Sequence, residues 1–87
     1  MKSRIDKLEY KFEKDIDEDL FYYKNKKHHR DKDLPAVIWD DGTRIWYKNG
    51  NEHRDNSKPS TIYKNGKMYW FENGKFIKDN LDEIKNR

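Results

Sequence analysis

The sequence predicts a mainly β fold, an antiparallel meander of tandem β-hairpin repeats. Three observations point to it: a 24-residue segment occurs twice in gapless register, Gly-containing dipeptides divide each copy into short β-prone runs, and 15% of the residues are aromatic. The aromatic content matters because 43% of the chain is charged and only 32% is hydrophobic, a balance close to that of disordered chains, which are poor in aromatics. Rings that each bury about 150–250 Å² can give so short a chain a core. The 87 residues suffice for one domain, 1–87, and not for two independent cores.

Placing HRDKDLPAVIWDDGTRIWYKNGNE (29–52) over HRDNSKPSTIYKNGKMYWFENGKF (53–76) superimposes His, Arg, Asp, Pro, Ile, Trp and two Gly. FYYKNKKHH (21–29) aligns with IWYKNGNEH (45–53), so a half copy comes first, and IKD (77–79) is a faded HRD after the second copy. Periods of about 20–50 residues mark stacked supersecondary units whose terminal copies are atypical. The chain thus divides into an acidic N-terminal segment (1–19), the repeat region (20–79) and a tail (80–87).

In the N-terminal segment Ile5, Leu8, Phe12 and Ile16 fit an amphipathic helix opened by Ser3, whereas Leu8, Tyr10 and Phe12 alternate as one face of a strand. The strand is preferred because it completes a hairpin with LFYYK (20–24) across the acidic stretch EKDIDED (13–19). Next, AVIWD and TRIWY flank Asp41-Gly42, and STIYK and KMYWF flank Asn65-Gly66. Such dipeptides supply the positive φ angles of type I′ hairpin turns. A second glycine turn follows each hairpin, at Asn49-Gly50 and Asn73-Gly74. Pro35 and Pro59 suit the first residue of a strand or an edge, since proline donates nothing to the ladder. Arg30 with Asp31 or Asp33, and Arg54 with Asp55, are expected to pair or to bind backbone groups and hold the HRD loops. Asn80 and Glu83 form a capping pair for a short C-terminal helix over LDEIKNR (81–87). Alternation places Phe21, Ile45, Tyr69, Tyr23, Tyr47 and Phe71 on one face and Tyr22, Trp46 and Trp70 on the other.

Several function classes are disfavoured. The chain has no cysteine, hence no disulfide or thiolate metal site, and suits a reducing compartment. No apolar run approaches the roughly 20 residues that span a bilayer, and no signal-peptide core is present. A soluble, cytoplasmic protein without a membrane partner is expected. Three histidines make no zinc centre without cysteine, and His28 and His29 project to opposite faces of any strand. Neither a metal nor a cofactor is expected. Ser3, Ser57 and Ser60 lack a nucleophile-elbow motif. His-Arg-Asp also opens the kinase catalytic loop, but the glycine-rich loop, strand lysine and D-F-G that accompany it are absent. The chain reads as non-catalytic.

Charge points to a partner. Residues 1–23 carry five Lys/Arg against seven Asp/Glu, and residues 24–87 carry fifteen against ten. A basic body of this kind suits a polyanion. Lys24, Lys26, Lys27, His28, His29 and Arg30 form one cluster, and Arg44, Lys48, Arg54, Lys58, Lys64 and Lys67 recur along the repeats. Cations supply affinity for phosphates while flat rings stack on unpaired bases. Tyr22, Trp46 and Trp70, one per copy, form either that stacking column or part of the core. The leading expectation is RNA or single-stranded nucleic acid. The alternative is a protein-interaction module that covers a host enzyme through exposed aromatics and Arg. An exposed strand edge could also pair with a second copy.

The unit YKNGKMYWFENGK (63–75) resembles a MORN-type repeat, in which aromatics and glycine turns alternate in short hairpins. The longer pattern HRDKDLPAVIWDDGTRIWYKNGNEHRD (29–55) is similar to repeat variants in proteins of large DNA viruses and bacteriophages. The resemblance covers roughly residues 20–79 and implies a β-hairpin array used for binding, with no catalytic residue. Several glycines of the typical unit are replaced here by Asn, Lys or Glu, as at Lys26, which argues against the lipid binding attributed to some MORN proteins. A chain of this class suits a phage accessory protein that antagonises a host defence or toxin complex.

Overall fold

The computed structural model describes residues 9–81, which form ten short strands: β1 (Tyr10–Lys14), β2 (Leu20–Lys24), β3 (Lys27–His28), β4 (Val37–Ile38), β5 (Arg44–Ile45), β6 (Tyr47–Lys48), β7 (Asn51–Glu52), β8 (Thr61–Ile62), β9 (Met68–Glu72) and β10 (Lys75–Asp79). The main sheet runs β1-β2-β4-β5-β8-β9-β10, with β3 beside β2, and β6-β7 form a separate ribbon. Every pairing is antiparallel. This is the expected meander, and the N-terminal strand is present: β1 pairs β2 from Tyr10↔Lys24 to Lys14↔Leu20. Ser3, Ile5 and Leu8 lie outside the described residues, as does Glu83.

The same backbone bonds recur 24 residues apart. Tyr22 N–H donates to Ala36 O at 2.7 Å and Trp46 N–H to Ser60 O at 2.8 Å; His29 N–H donates to Tyr22 O and His53 N–H to Trp46 O, both at 3.1 Å. Each copy adds one two-stranded step to a ribbon measuring 60 × 30 × 18 Å.

The turn chemistry differs from expectation. At Asp41-Gly42 only the glycine has positive φ, 96°, and Asn65-Gly66 behaves likewise with Gly66 at 94°. Type I′ geometry needs both residues positive, so these are not type I′ turns. Gly42 N–H instead donates to Trp39 O at 2.9 Å while Trp39 N–H donates to Thr43 O, the pattern of a three-residue loop with a left-handed glycine bulge. The cause is the Asx side chain: Asp41 Oδ1 accepts Thr43 N–H at 2.8 Å and Asn65 Oδ1 accepts Lys67 N–H at 3.1 Å, which holds the wider loop. Paired positive angles occur at the second glycine turns, 51° and 89° at Asn49-Gly50 and 51° and 84° at Asn73-Gly74, and at Asn25-Lys26, 52° and 68°.

The interior is thin and mostly polar. Pro35, Ala36, Val37 and Trp46 are the buried apolar residues among those described, beside buried His29, Thr43, Ser60, Thr61 and Asn80. Strand register places Ala36 and Ser60 in the row between Tyr22, Trp46 and Trp70, and both are fully enclosed at 0% exposure. Small residues there leave room for the large ones on either side. Asn80 turns back into the last hairpin, accepting Met68 N–H at 2.7 Å and donating to Gly66 O at 3.1 Å. The helix expected to be capped by it and Glu83 lies outside the described residues, beyond Leu81.

Candidate nucleic-acid interface

The HRD loops are built from side chains that bond to the backbone. His29 Nδ1 accepts Asn49 N–H at 2.9 Å, which leaves Nε2 to donate to Asp31 Oδ1 at 2.7 Å. His53 repeats this with Asn73 N–H at 3.0 Å and Asp55 Oδ1 at 2.7 Å. Each histidine thus ties its loop to the glycine turn that follows. The bond from His29 holds the Asp31 carboxyl below its ordinary range, and that from His53 does the same for Asp55. With both ring nitrogens occupied, neither histidine is free to act as a general base.

Arginine completes the loop. Arg30 donates to Pro35 O at 3.2 Å and lies 3.7 Å over the Tyr22 ring. Arg54 donates to Pro59 O at 3.1 Å and lies 3.8 Å over Trp46. Lys78 takes the same place 4.7 Å over Trp70. The expected pairing of Arg54 with Asp55 is not what forms. Arg54 makes a bidentate contact with Asp33, at 2.9 and 3.2 Å, and Lys58 adds a third bond at 2.9 Å, because His53 already holds Asp55. Arg54 and Lys58 together push the Asp33 carboxyl down to about 2. Indole N–H groups bind the same loops, Trp46 Nε1 to Asp33 O at 3.1 Å and Trp70 Nε1 to Ser57 O at 3.0 Å. The column Tyr22, Trp46, Trp70 is therefore roofed by the protein's own cations, and Trp46 is only 5% exposed.

The residues singled out by sequence fall into separate groups. Arg30, Arg54 and Lys58 hold loops, and His28 lies among Phe21, Tyr23 and Tyr47, with ring centroids 4.8–6.0 Å away. Arg44, Lys64 and Lys67 lie at the strand ends that carry the Asp41-Gly42 and Asn65-Gly66 turns, an edge shared with Asp15, Asp17, Asp19, Asp40 and Asp41; Asp19 Oδ1 accepts Asp40 N–H at 2.7 Å. Lys24, Lys26, Lys27 and Lys48 gather at the opposite edge. There the turns stack: Gly50 N–H donates to His28 O at 2.8 Å, Gly74 N–H to Glu52 O at 2.9 Å, and a Cβ on Gly50 would sit 3.4 Å from Lys27 Cδ.

Sequence reading did not identify Lys75, which follows Gly74 at this same edge one period after Asn51 and two after Lys27. Spacing offered that signal. It also missed the carboxylate of Glu52, which accepts the hydroxyls of Ser60 and Thr61, and no motif announces it. Among the described residues, Asp15, Asp17 and Asp19 have oxygens converging within 4.8 Å, but Asp15 Oδ1 is occupied by the Asp17 and Asp19 amides, both at 2.9 Å. The chain matches no family model, no curated protein and no solved structure.

Proposed function

We propose that the chain is a non-catalytic binding module that takes RNA or single-stranded nucleic acid along the edge formed by Lys24, Lys26, Lys27 and Lys48, with Lys75 beside them. The observation that carries this reading is Lys26. It occupies the left-handed position of a type I′ turn, φ 68°, where the next two copies have Gly50 and Gly74. A side chain there costs conformational energy, and a surface charge is what the position gains. None of the five lysines makes an ion pair among the described residues, so their charge is available to phosphates. The aromatic column is assigned to holding the loops, and affinity comes from charge with little sequence selectivity. In a bacteriophage setting, such a module would act by occupying a host defence or toxin complex.

Binding of a labelled single-stranded RNA at two salt concentrations tests the reading. With about four phosphates neutralised, raising salt from 50 to 200 mM should weaken binding about 50-fold. Absence of binding at low salt, or binding indifferent to salt, overturns it. One observation favours the protein-interaction alternative: Trp39 is 42% exposed on the opposite edge, and aromatics of that kind anchor protein interfaces. A host partner retained after nuclease treatment supports the alternative; one lost supports nucleic acid.

A further inference from the structure

We infer that β1 pairs with β1 of a second copy, antiparallel, about a two-fold axis through Phe12. The strand ends the main sheet with β2 on one side, and all five of its residues are exposed. Asn25 N–H donates to Glu9 O and Asp15 N–H to Asp19 O, so with the register between them the odd-numbered residues turn their peptide groups toward β2. Tyr10, Phe12 and Lys14 turn theirs outward. Among the described residues nothing pairs with that row.

Self-pairing centred on Phe12 uses each of these groups. Phe12 exchanges both backbone bonds with Phe12 of the partner subunit, and Tyr10 does so with Lys14 of the partner subunit. Between them Lys11 faces Glu13 of the partner subunit in the non-hydrogen-bonded pair, where side chains approach most closely. Within the five residues of β1, centring on Lys11 or Glu13 instead would set that residue opposite its own copy, like charge against like. The charges of the strand itself therefore favour the Phe12 register, in which the flanking Glu9 faces Asp15 of the partner subunit. Lys11 and Glu13 already pair within the strand at 3.0 Å. Exchange across the axis therefore contributes register more than affinity. Affinity comes from the backbone ladder and from the apolar side chains along this edge, Tyr10 at 57%, Phe12 at 52% and nearby Leu34 at 41% exposure. The opposite edge is less suited. A bulge interrupts β10 between Phe76 and Lys78, and bulged edges resist strand addition.

Sedimentation equilibrium of the full chain without nucleic acid tests the inference independently of the proposed function. The wild type should show twice the chain mass. Lys11→Glu and Glu13→Lys should each lower the association constant roughly 10- to 100-fold, since each sets like charges opposite one another twice. The double variant K11E/E13K should dimerise again, and mixing the two single variants should give a heterodimer. Both positions are exposed, so circular dichroism should be unchanged. A monomer across the concentration series, or a dimer indifferent to either single change, overturns the inference.

Discussion

Replacing Lys26 with Gly should separate what the turn needs from what the surface uses. The residue sits at φ 68° as the second central residue of the Asn25-Lys26 turn. Left-handed backbone costs an L-residue about 1–2 kcal/mol, and glycine returns about 0.5–1 kcal/mol through its freer unfolded chain. Lys26→Gly should therefore stabilise by about 0.5–1 kcal/mol, since the bonds that stack this turn on the next come from backbone groups. In a domain of this size that is a rise of about 2–8 °C in Tm, or a higher midpoint in urea with unchanged slope. The same change removes one cation from the edge and should reduce the salt slope of single-strand binding by about 0.7. Lys26→Ala is the control: it loses the charge and keeps the strain, so binding should fall equally without the gain in stability. A Gly variant no more stable than the Ala variant would refute the reasoning.

Other perturbations follow from the loops and the interior. His29→Ala leaves Asn49 N–H and Asp31 without their partner and should cost about 2–3 kcal/mol in urea unfolding; His53→Ala should cost less, because that side chain is 14% exposed against 6%. Ala36→Leu, at a site with 0% exposure, should destabilise by about 1–3 kcal/mol through overpacking, whereas Ala36→Gly should not introduce that clash. Asp33→Asn tests the shared carboxylate. Its folded value, about 2, lies below the ordinary 3.8, so its contribution is fully present above pH 3.8 and is lost as pH falls toward 2. The carboxylate is 40% exposed, which limits the effect to about 1 kcal/mol or less. Wild type and variant should converge in stability on acidification, and a difference that persists at the lowest pH would count against the pairing.

The repeat made most of the fold legible, because a copy that aligns without gaps carries its strands and turns with it. Gly42 and Gly50 mark turns equally in the sequence, yet one is a bulged three-residue loop and the other type I′. The difference lies in side chains: Asp41 bonds the backbone two residues on, a local competition that dipeptide identity does not reveal. Site legibility was poorer. Lys24 through Arg30 are neighbours in sequence and read as one cluster, but Arg30 turns onto Tyr22 and His28 onto Tyr23. Which lysines share an edge depends on how many strands separate them, and that is set by topology. Asp33 was unreadable as the partner of Arg54 for another reason. Its counterpart in the next copy is Ser57, so the contact does not repeat. The Arg and Lys over each aromatic were recoverable in principle, since the spacing from Tyr22 to Arg30, Trp46 to Arg54 and Trp70 to Lys78 is constant.

The most direct measurement compares single-stranded RNA affinity in two multiple variants, one with alanine at Lys24, Lys26, Lys27 and Lys48 and the other with alanine at Arg44, Lys64 and Lys67. Loss of binding and of salt dependence in the first, with the second close to wild type, is the predicted result. Equal losses from the two, or a first variant that binds as tightly as the wild type, would contradict an edge-specific phosphate site.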